Sequence, residues 1–391
     1  DEKGREGGGK VLMYGGYAGQ YGMRQNTSLI YERRKTRFGR SVLPMWKFVT
    51  SCTPGKPGKR SNHAMVSMEP NRALLFGGKC GDGAAHHASG KKEEDCNPDE
   101  ENKHWAFDAT TNCWEKAVTY KGDLPPYNFY DSVVSPINKT LGLFVLYGGR
   151  TPQRKITVTA EIERPTDIDD GHPVWIGHYQ KVGLGIVVEW RKMSPLLSDA
   201  PPFLEHKSMA PLGPSQIVLV GSDQIHTESL DTWILSCNNC NAGRRLRNYV
   251  FEWKKHGHGT AFPNPDKFAY ESQNYKVVAL QREGSAMIIG GGVARRPGMG
   301  LYVWSLAKQA WSGALKRDDK DVGKTVNSKE ILQISKRFRF QIAQFGSSTF
   351  VLNSGESKEG NMREDTFDIQ LGEQPGRPGL VLAAHDVSAN V

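Results

Sequence analysis

The sequence of 391 residues predicts an all-β protein folded as a single six-bladed β-propeller. The main observation is a repeat, because short apolar runs end in glycine six times, with first glycines at 15, 77, 148, 221, 290 and 355. The intervals of 62, 71, 73, 69 and 65 residues are regular enough to indicate a repeat architecture. The 43 glycines also favour many short strands joined by turns.

Each repeat contains candidates for the four antiparallel strands of a propeller blade. An apolar run precedes the glycine strand in units two to six, and an alternating aromatic run follows it in every unit. A fourth run closes the first five units and carries one tryptophan in each: Trp46, Trp114, Trp190, Trp253 and Trp311. The predicted blades cover approximately residues 10–50, 60–120, 130–192, 204–255, 275–313 and 336–385.

The glycines and the tryptophans have predicted structural roles. Residues without a Cβ allow close backbone approach where blades crowd together near the axis. The tryptophans are expected to fill the wedge that opens between a blade and its neighbour. In this interpretation the run LGLFVLYGGRTPQRK at residues 141–155 ends a strand and is not a phosphate-binding loop.

Closure of the ring is an open question in the sequence. Units two to six have an apolar run before the glycine strand, but only DEKGREGGG precedes it in unit one. The C-terminal run GLVLAAH, residues 379–385, is the expected donor of this missing inner strand. Alternatively, it is the fourth strand of blade six, and the first strand of blade one was lost with a missing N-terminus.

The positive charge of the chain is local. The formal net charge is +9, and residues 1–60 contain 13 Lys and Arg against 4 Asp and Glu, so this segment carries the whole excess. Such a field attracts DNA, RNA and acidic protein surfaces, with a solvated basic loop as the alternative. The candidates in this one basic patch are Arg33, Arg34, Lys35, Arg37, Arg40, Lys56, Lys59 and Arg60.

The sequence does not predict an enzyme. Gly323-Lys324-Thr325 lacks the earlier glycine of a phosphate-binding loop, since residue 318 is Asp. The glycine-rich run from Gly290 leads to a strand instead of a helix, which argues against a dinucleotide site. No nucleophile elbow accompanies the serines. The chain is therefore interpreted as a binding platform.

No metal is predicted, although two groups of residues are weak zinc candidates. The first contains Cys237, Cys240, His256 and His258, and the second contains Cys80, His86, His87 and Cys96. Neither matches a standard ligand spacing, so unpaired thiols and loop histidines are the alternative. Six cysteines are too few for a disulfide scaffold, which favours a reducing compartment, and no apolar run is long enough to span a membrane.

The repeat resembles the kelch repeat, in which a double glycine ends the second strand and an aromatic residue and a tryptophan follow. More narrowly, the chain is similar to the recombination-activating gene two family. The stretch LFVLYGGRTPQRKITVTAEIERPTDIDDGHPVWIGH, residues 143–178, resembles a family segment with a GGR turn, a long polar loop and an aromatic strand. Residues 345–371 and the turn LMYGGYAGQYGMRQNTSLIYERRK resemble its last and first blades.

This resemblance implies a non-catalytic accessory subunit of a DDE-type DNA recombinase or transposase, whose catalytic chain is of the recombination-activating gene one family. The partner is expected to hold the catalytic carboxylates and Mg²⁺, and this chain is expected to add phosphate contacts to DNA. A heterotetramer of two catalytic and two accessory chains in the nucleus is implied. The six cysteines do not suffice for the PHD finger of the vertebrate members, so histone-tail reading is not expected.

The resemblance also adds candidate site residues. Arg24 falls near the DNA-facing turn of the family. Arg150, Arg154 and Lys155 are candidates for partner binding or for a solvated turn. The main alternative function is a generic kelch adaptor that binds acidic protein partners, which predicts no effect on DNA. A propeller enzyme would instead have convergent ligands on the axis.

Overall fold

The structure is a computed structural model. It describes residues 10–18, 23–32, 45–49, 55–68, 71–80, 104–116, 119–125, 129–149, 174–183, 185–193, 200–202, 204–222, 231–240, 245–256, 275–280, 284–290, 300–313, 341–344, 349–353, 366–373 and 380–386.

These residues form short β-strands and one 3-10 turn at Leu246–Asn248. The strands of the first half are β1 (Lys10–Tyr14), β2 (Tyr17–Ala18), β3 (Met23–Arg24), β4 (Ser28–Glu32), β5 (Met45–Phe48), β6 (Arg60–Ser61), β7 (Ala64–Met68), β8 (Arg72–Phe76), β9 (Lys79–Cys80), β10 (Trp105–Asp108), β11 (Cys113–Lys116), β12 (Thr119–Gly122), β13 (Val133–Asn138) and β14 (Leu143–Tyr147). Those of the second half are β15 (Val174–Val182), β16 (Gly185–Lys192), β17 (Glu205–Gly213), β18 (Gln216–Ser222), β19 (Asp231–Cys237), β20 (Phe251–His256), β21 (Tyr275–Ala279), β22 (Ser285–Gly290), β23 (Gly300–Ser305), β24 (Ala310–Gly313), β25 (Gln341–Gln344), β26 (Thr349–Asn353), β27 (Thr366–Glu373) and β28 (Leu380–Asp386).

The strands pair into sheets that follow one another along the chain. The first sheet has three strands in the order β1-β4-β5, and the second has four in the order β11-β10-β8-β7. The third has five, because β12 adds in parallel to the outer strand β16 of the order β16-β15-β14-β13. The last three sheets contain β17 to β20, β21 to β24 and β25 to β28 in chain order. The short pairs β2-β3 and β6-β9 lie outside these sheets.

The sheets are arranged as a β-propeller, which confirms the predicted fold. The first strands of successive sheets contact one another around the ring: β7 with β13, β13 with β17, β17 with β21 and β21 with β25. Only five sheets have four or more strands. The predicted count of six complete blades is therefore corrected to five, and the first repeat contributes the three-stranded sheet.

The C-terminal strand does not complete the first sheet. β28 pairs antiparallel with β27 and is the outer strand of the last sheet, so its expected role as donor of the missing inner strand is wrong, and its alternative position as the fourth strand of the last blade is confirmed. Only a short connection separates β27 from β28, and a local pairing costs less chain entropy than a crossing to β1. Among the described residues, the two ends of the ring meet through apolar packing of Val11 and Tyr31 against Val351.

The glycine pairs of the first two sheets hold each of these sheets to the connection that enters the next one. Gly16 N–H donates to Arg60 O at 2.9 Å, and Gly78 N–H donates to Phe129 O at 2.9 Å. At Gly15, with φ +62°, an added Cβ would lie 2.6 Å from Arg60 O. Side chains are excluded at that distance and rare at that φ. The predicted close backbone approach is confirmed, and it occurs between consecutive blades.

The tryptophans of the fourth strands face the preceding blade. Trp114 Nε1–H donates to Ser28 Oγ at 2.8 Å, and Trp311 Nε1–H donates to Thr232 Oγ1 at 2.9 Å. In both cases the acceptor lies on the strand that pairs with the outer, Trp-bearing strand of the sheet before, and both indoles are buried. Trp46, in the three-stranded first sheet, is only partly buried. The predicted filling of the wedge between blades is thus confirmed in the complete blades.

Candidate nucleic-acid interface

The first sheet separates the basic residues into two groups at opposite strand ends. At one end Tyr14 pairs with Ser28, and the glycine pair follows directly. We call this the glycine end. In the first sheet it is the end at which β1 finishes, and in the complete blades it is the end at which the second strand finishes. At the opposite end Lys10 pairs with Glu32, and Glu32 pairs with Met45.

The two segments of the predicted basic patch are joined to the first sheet at opposite strand ends. Residues 33–44 join Glu32 to Met45, so the chain that carries Arg33, Arg34, Lys35, Arg37 and Arg40 leaves and re-enters the sheet at the opposite end. Lys56 and Lys59 precede β6 and Arg60 begins it, beside the glycine end. A strand of five residues separates its ends by roughly 13 Å. The five residues of the first group themselves lie outside the described ranges.

Arg24 and Arg60 are buried and hold the first two blades together. Arg60 is 3% exposed and Arg24 is 7% exposed. Arg60 Nη1 donates to Gly77 O at 3.0 Å, and Arg60 Nε donates to Gly58 O at 3.2 Å. Arg24 Nε donates to Ser61 Oγ at 3.3 Å. Because these guanidinium groups are buried against protein acceptors, the prediction that they contact phosphate is corrected to a structural role.

Lys56 and Lys59 are exposed on a loop at the glycine end. The loop is fixed from below by the Tyr14 hydroxyl, which donates to Pro57 O at 2.5 Å and lies 2.9 Å from Gly58 O. Burial raises the pKa of Tyr14, so its hydroxyl remains a donor. A buried anchor under two exposed ammonium groups keeps their charge at one place on the surface.

A further set of lysines at the glycine end was missed by sequence reasoning. The third strand of three successive blades places a tryptophan opposite a lysine of the fourth strand: Trp105 with Lys116, Trp175 with Lys192, and Trp233 with Lys255. Nζ of Lys192 lies 5.9 Å from the Trp175 ring centroid, and Nζ of Lys255 lies 5.4 Å from that of Trp233. Such cation–π contacts orient a lysine without neutralising it.

The sequence did contain a signal for this set. Each of the three lysines follows the tryptophan of its fourth strand by two positions, in Trp114-Glu-Lys, Trp190-Arg-Lys and Trp253-Lys-Lys. Successive side chains of one strand point to opposite faces of the sheet. The lysine and the tryptophan, two positions apart, therefore lie on the same face.

The charge at the glycine end is not uniformly positive. Lys79 adds a further cation, with Nζ 4.1 Å from the Tyr130 ring centroid. Asp131 is exposed there and accepts a hydrogen bond from Asn62 Nδ2 at 2.5 Å. Asp231 is buried and pairs with Lys255 at 2.8 Å. The exposed cations among the described residues of this end therefore include Lys56, Lys59 and Lys192, and the exposed carboxylates include Asp131 and Asp123, which accepts a hydrogen bond from Lys192 N–H at 3.3 Å.

Two histidines lie under the glycine end and remain neutral. In the part of the chain that the structure describes, His63 Nδ1 and His104 Nε2 are buried without a hydrogen-bond partner. Burial lowers the pKa of both imidazoles to about 3, and the nearby Arg60 guanidinium acts in the same direction. Neither residue adds positive charge to this surface at neutral pH.

These histidines are expected to make the protein less stable as the pH falls below about 6.5. The unfolded chain protonates at its ordinary pKa, whereas the folded chain does not until about pH 3, so stability is complete above 6.5 and is lost below it. Each histidine adds up to about 1.4 kcal/mol of loss per pH unit. Urea unfolding of wild type and His104→Phe between pH 7 and pH 5 measures this, and equal slopes for the two proteins would contradict it.

The first zinc hypothesis is wrong in this structure. Cys237 and Cys240 form a disulfide with each other, so neither sulfur is a thiolate ligand. His256 is buried, with its ring 5.6 Å from that of Trp304 in the next blade, and His258 lies outside the described residues. The expectation of unpaired thiols is also overturned, because Cys113 is disulfide-bonded too and no described cysteine is free.

The other candidates lie beyond what the structure describes. They are the side chain of Cys80 and the residues His86, His87, Cys96, Arg150, Arg154 and Lys155. Within the described ranges, no group of three or more His, Cys, Asp or Glu side chains has the arrangement of a metal site. The same ranges contain no helix long and apolar enough to cross a membrane.

Replacing both Cys237 and Cys240 by serine is expected to lower the free energy of unfolding by about 2 kcal/mol, because a bond across so short a loop removes little unfolded-state entropy. Denaturant unfolding with and without a reducing agent measures it. Reduction should lower the stability of wild type by about 2 kcal/mol more than that of the variant, because the disulfide of Cys113 is reduced in both proteins. If reduction instead affects both proteins equally, this disulfide is not the responsible bond.

The sheets form a β-propeller, and exposed lysines lie at the glycine end of its strands. Among solved structures, the chain is similar to YjhT, also a propeller, with a TM-score of 0.50 and 13% identity over 96% of this chain and 97% of that chain. At this identity the likeness concerns the fold alone. No protein-family model and no curated protein matches the chain.

Proposed function

We propose that the chain is the non-catalytic accessory subunit of a DDE-type DNA recombinase or transposase, with a catalytic partner of the recombination-activating gene one family. In this role the propeller stabilises the complex of protein and DNA and contributes phosphate contacts. The catalytic carboxylates and Mg²⁺ belong to the partner chain. Two catalytic and two accessory chains act together on DNA in the nucleus.

The observation that supports the proposal most directly is the exposure of Lys56 and Lys59 at the glycine end. A lysine ammonium is a flexible point charge that neutralises phosphate without reading bases. Lys192 adds an exposed charge at the same end of another blade. A surface of this kind suits DNA flanking the site of cleavage, because the flank differs in sequence from one substrate to the next.

In this proposal the two ends of the first sheet have different functions. The glycine end offers phosphate contacts through Lys56 and Lys59. The opposite end carries the segment with Arg33, Arg34 and Lys35, which is a second candidate for DNA or for an acidic surface of the catalytic chain. Residues Arg24 and Arg60 maintain the fold between them.

Co-expression with a catalytic subunit of the recombination-activating gene one family tests the proposal. The two chains should co-purify, and the complex should bind DNA with a salt dependence that reflects lysine contacts. In the Lys56→Ala/Lys59→Ala variant the slope of log affinity against log salt should decrease by about 1.8, for two lost phosphate contacts. Replacing Arg33, Arg34, Lys35 and Arg37 by alanine measures the contribution of the opposite end separately.

Lys181→Ala is the matched control for these measurements. It removes an exposed lysine at the opposite end of the third blade and should leave the slope unchanged. Failure of the two chains to co-purify would remove the recombinase interpretation, and the generic adaptor for acidic proteins would take its place.

A further inference from the structure

The face opposite the glycine end contains a groove that runs outward between the third and fourth blades. It consists of two cavities, of about 660 Å³ and about 340 Å³, and Thr140 lines both of them. The inner cavity lies at the turns between the first and second strands of these blades. The outer one lies between β15 and β16 of the third blade and the 3-10 turn of the fourth.

The inner half of the groove is mainly apolar, although Asn138 and the exposed Lys139 also line it. Its lining includes Ile137, Pro211, Leu212, Pro214 and Leu280, contributed by three successive blades. Two prolines and a tight turn fix the backbone there, so the surface is formed before any partner arrives. The apolar part of this surface accepts aliphatic or proline side chains.

The outer half is polar and more basic than acidic. Lys121 and Arg245 are exposed along its rim, and Glu189 lies opposite Lys121 in the strand register. His178 lines the groove between them, and burial lowers the pKa of its imidazole, so it is neutral at pH 7. Two cations against one carboxylate leave net positive charge for a ligand.

The wall that carries Arg245 is held in place by contacts to both blades. Arg191 Nη1, on the third blade, donates to Tyr249 O at 2.9 Å and lies 3.4 Å from Leu246 O. Within the fourth blade, Val250 N–H donates to Asn239 Oδ1 at 2.7 Å. Asn239 lies inside the loop closed by the Cys237–Cys240 disulfide. A wall fixed in this way gives the groove a constant width.

We infer that this groove binds an extended peptide segment of a partner protein, with apolar side chains in the inner half and an acidic side chain between Lys121 and Arg245. The order of apolar and basic lining along the groove is what selects this ligand. A nucleic-acid backbone would bring phosphates past Glu189 and against the prolines and aliphatic side chains of the inner half, where Lys139 is the single cation of the lining, which disfavours it. The site lies on the face away from Lys56 and Lys59, so it goes beyond the proposed DNA contacts and can be occupied independently of them.

A phage-displayed library of random peptides, selected on the wild-type protein, tests the inference. Enriched peptides should combine apolar residues at one end with Asp or Glu at the other. Their synthetic forms should bind at least about tenfold more weakly to Lys121→Glu/Arg245→Glu. Lys181→Glu is the matched control, because this exposed lysine lies on the same strand as His178 but does not line the groove, and it should bind as wild type does.

Two further measurements, one with charge-swapped peptides and one with DNA as a competitor, complete the test. Peptides with lysine in place of the acidic residues should regain affinity for the Lys121→Glu/Arg245→Glu variant, whose far-ultraviolet circular dichroism should match that of wild type. A short DNA duplex should not displace the peptide. The inference is overturned if no peptide is enriched, if the charge-reversal variant binds the enriched peptides as tightly as wild type, or if DNA competes for the groove.

Discussion

Trp190→Ala is expected to lower the free energy of unfolding by about 3–5 kcal/mol. The side chain of Trp190 is 1% exposed, and its ring centroid lies 5.4 Å from Phe76 of the second blade and 5.2 Å from Phe144 of its own. Each sheet is fixed by its own hydrogen-bond ladder, so the blades cannot close over the cavity that remains. Urea unfolding followed by circular dichroism measures the loss.

Two controls separate the wedge from the loss of an aromatic ring as such. Trp190→Phe should cost less than about 2 kcal/mol, because Nε1 has no hydrogen-bond partner among the described residues and only packing area is lost. Trp46→Ala removes the equivalent residue of the three-stranded sheet, where it is only partly buried. If Trp46→Ala is as destabilising as Trp190→Ala, the packing between complete blades does not explain the role of the repeated tryptophan.

Arg60→Ala is expected to lower the free energy of unfolding by about 3 kcal/mol, although arginine is usually a surface residue. The side chain donates hydrogen bonds to Gly58 O and Gly77 O, and its removal leaves these partly buried hydrogen-bond sites without that donor. Arg60→Lys should restore only part of the stability, since one ammonium group cannot reproduce the fork of a guanidinium. Thermal and urea unfolding measure all three proteins.

Lys56→Ala provides the contrast, because Lys56 is exposed four positions earlier in the same segment. Its stability should stay within about 0.5 kcal/mol of wild type. The pair of variants therefore distinguishes an arginine that holds the fold from a lysine that is available to a ligand. A stable Arg60→Ala protein with weakened DNA binding would reverse the two assignments.

The propeller could be predicted from the sequence because its signals repeat. The glycine pairs and fourth-strand tryptophans recur at similar intervals, and each one reports the same contact with a neighbouring blade. Trp114 and Trp311 illustrate this. Both donate to a hydroxyl on the strand that pairs with the Trp-bearing outer strand of the preceding sheet. Because the same local pattern recurs in several repeats, it is stronger evidence for the overall fold than a single copy.

The features that occur once could not be predicted in the same way. The position of β28 depends on a choice between two partners with similar patterns, and the short connection from β27 decided it. The segments that contain Arg33 and Lys56 are attached at opposite strand ends of the first sheet. This depends on strand direction, which a run of charged residues in a sequence does not indicate. Likewise, only the folded turn shows that Cys237 and Cys240 bond to each other.

The burial of Arg24 and Arg60 was also hidden from the sequence. Both belong to segments rich in basic residues, so their type and position suggested a solvent-exposed role. Their hydrogen-bond acceptors are Ser61 Oγ and the carbonyls of Gly58 and Gly77. The Trp-x-Lys pattern of the fourth strands, in contrast, was present in the sequence and becomes meaningful once the strand register is known.

The DNA cleavage rate of the catalytic partner tests the proposed function most directly. It should be measured for the partner alone, with this chain, and with the Lys56→Ala/Lys59→Ala variant, at several salt concentrations. The account predicts that the wild-type chain raises cleavage, and that the variant co-purifies with the partner but stimulates cleavage less as salt increases. Cleavage that is the same with and without this chain would contradict the assignment as an accessory subunit.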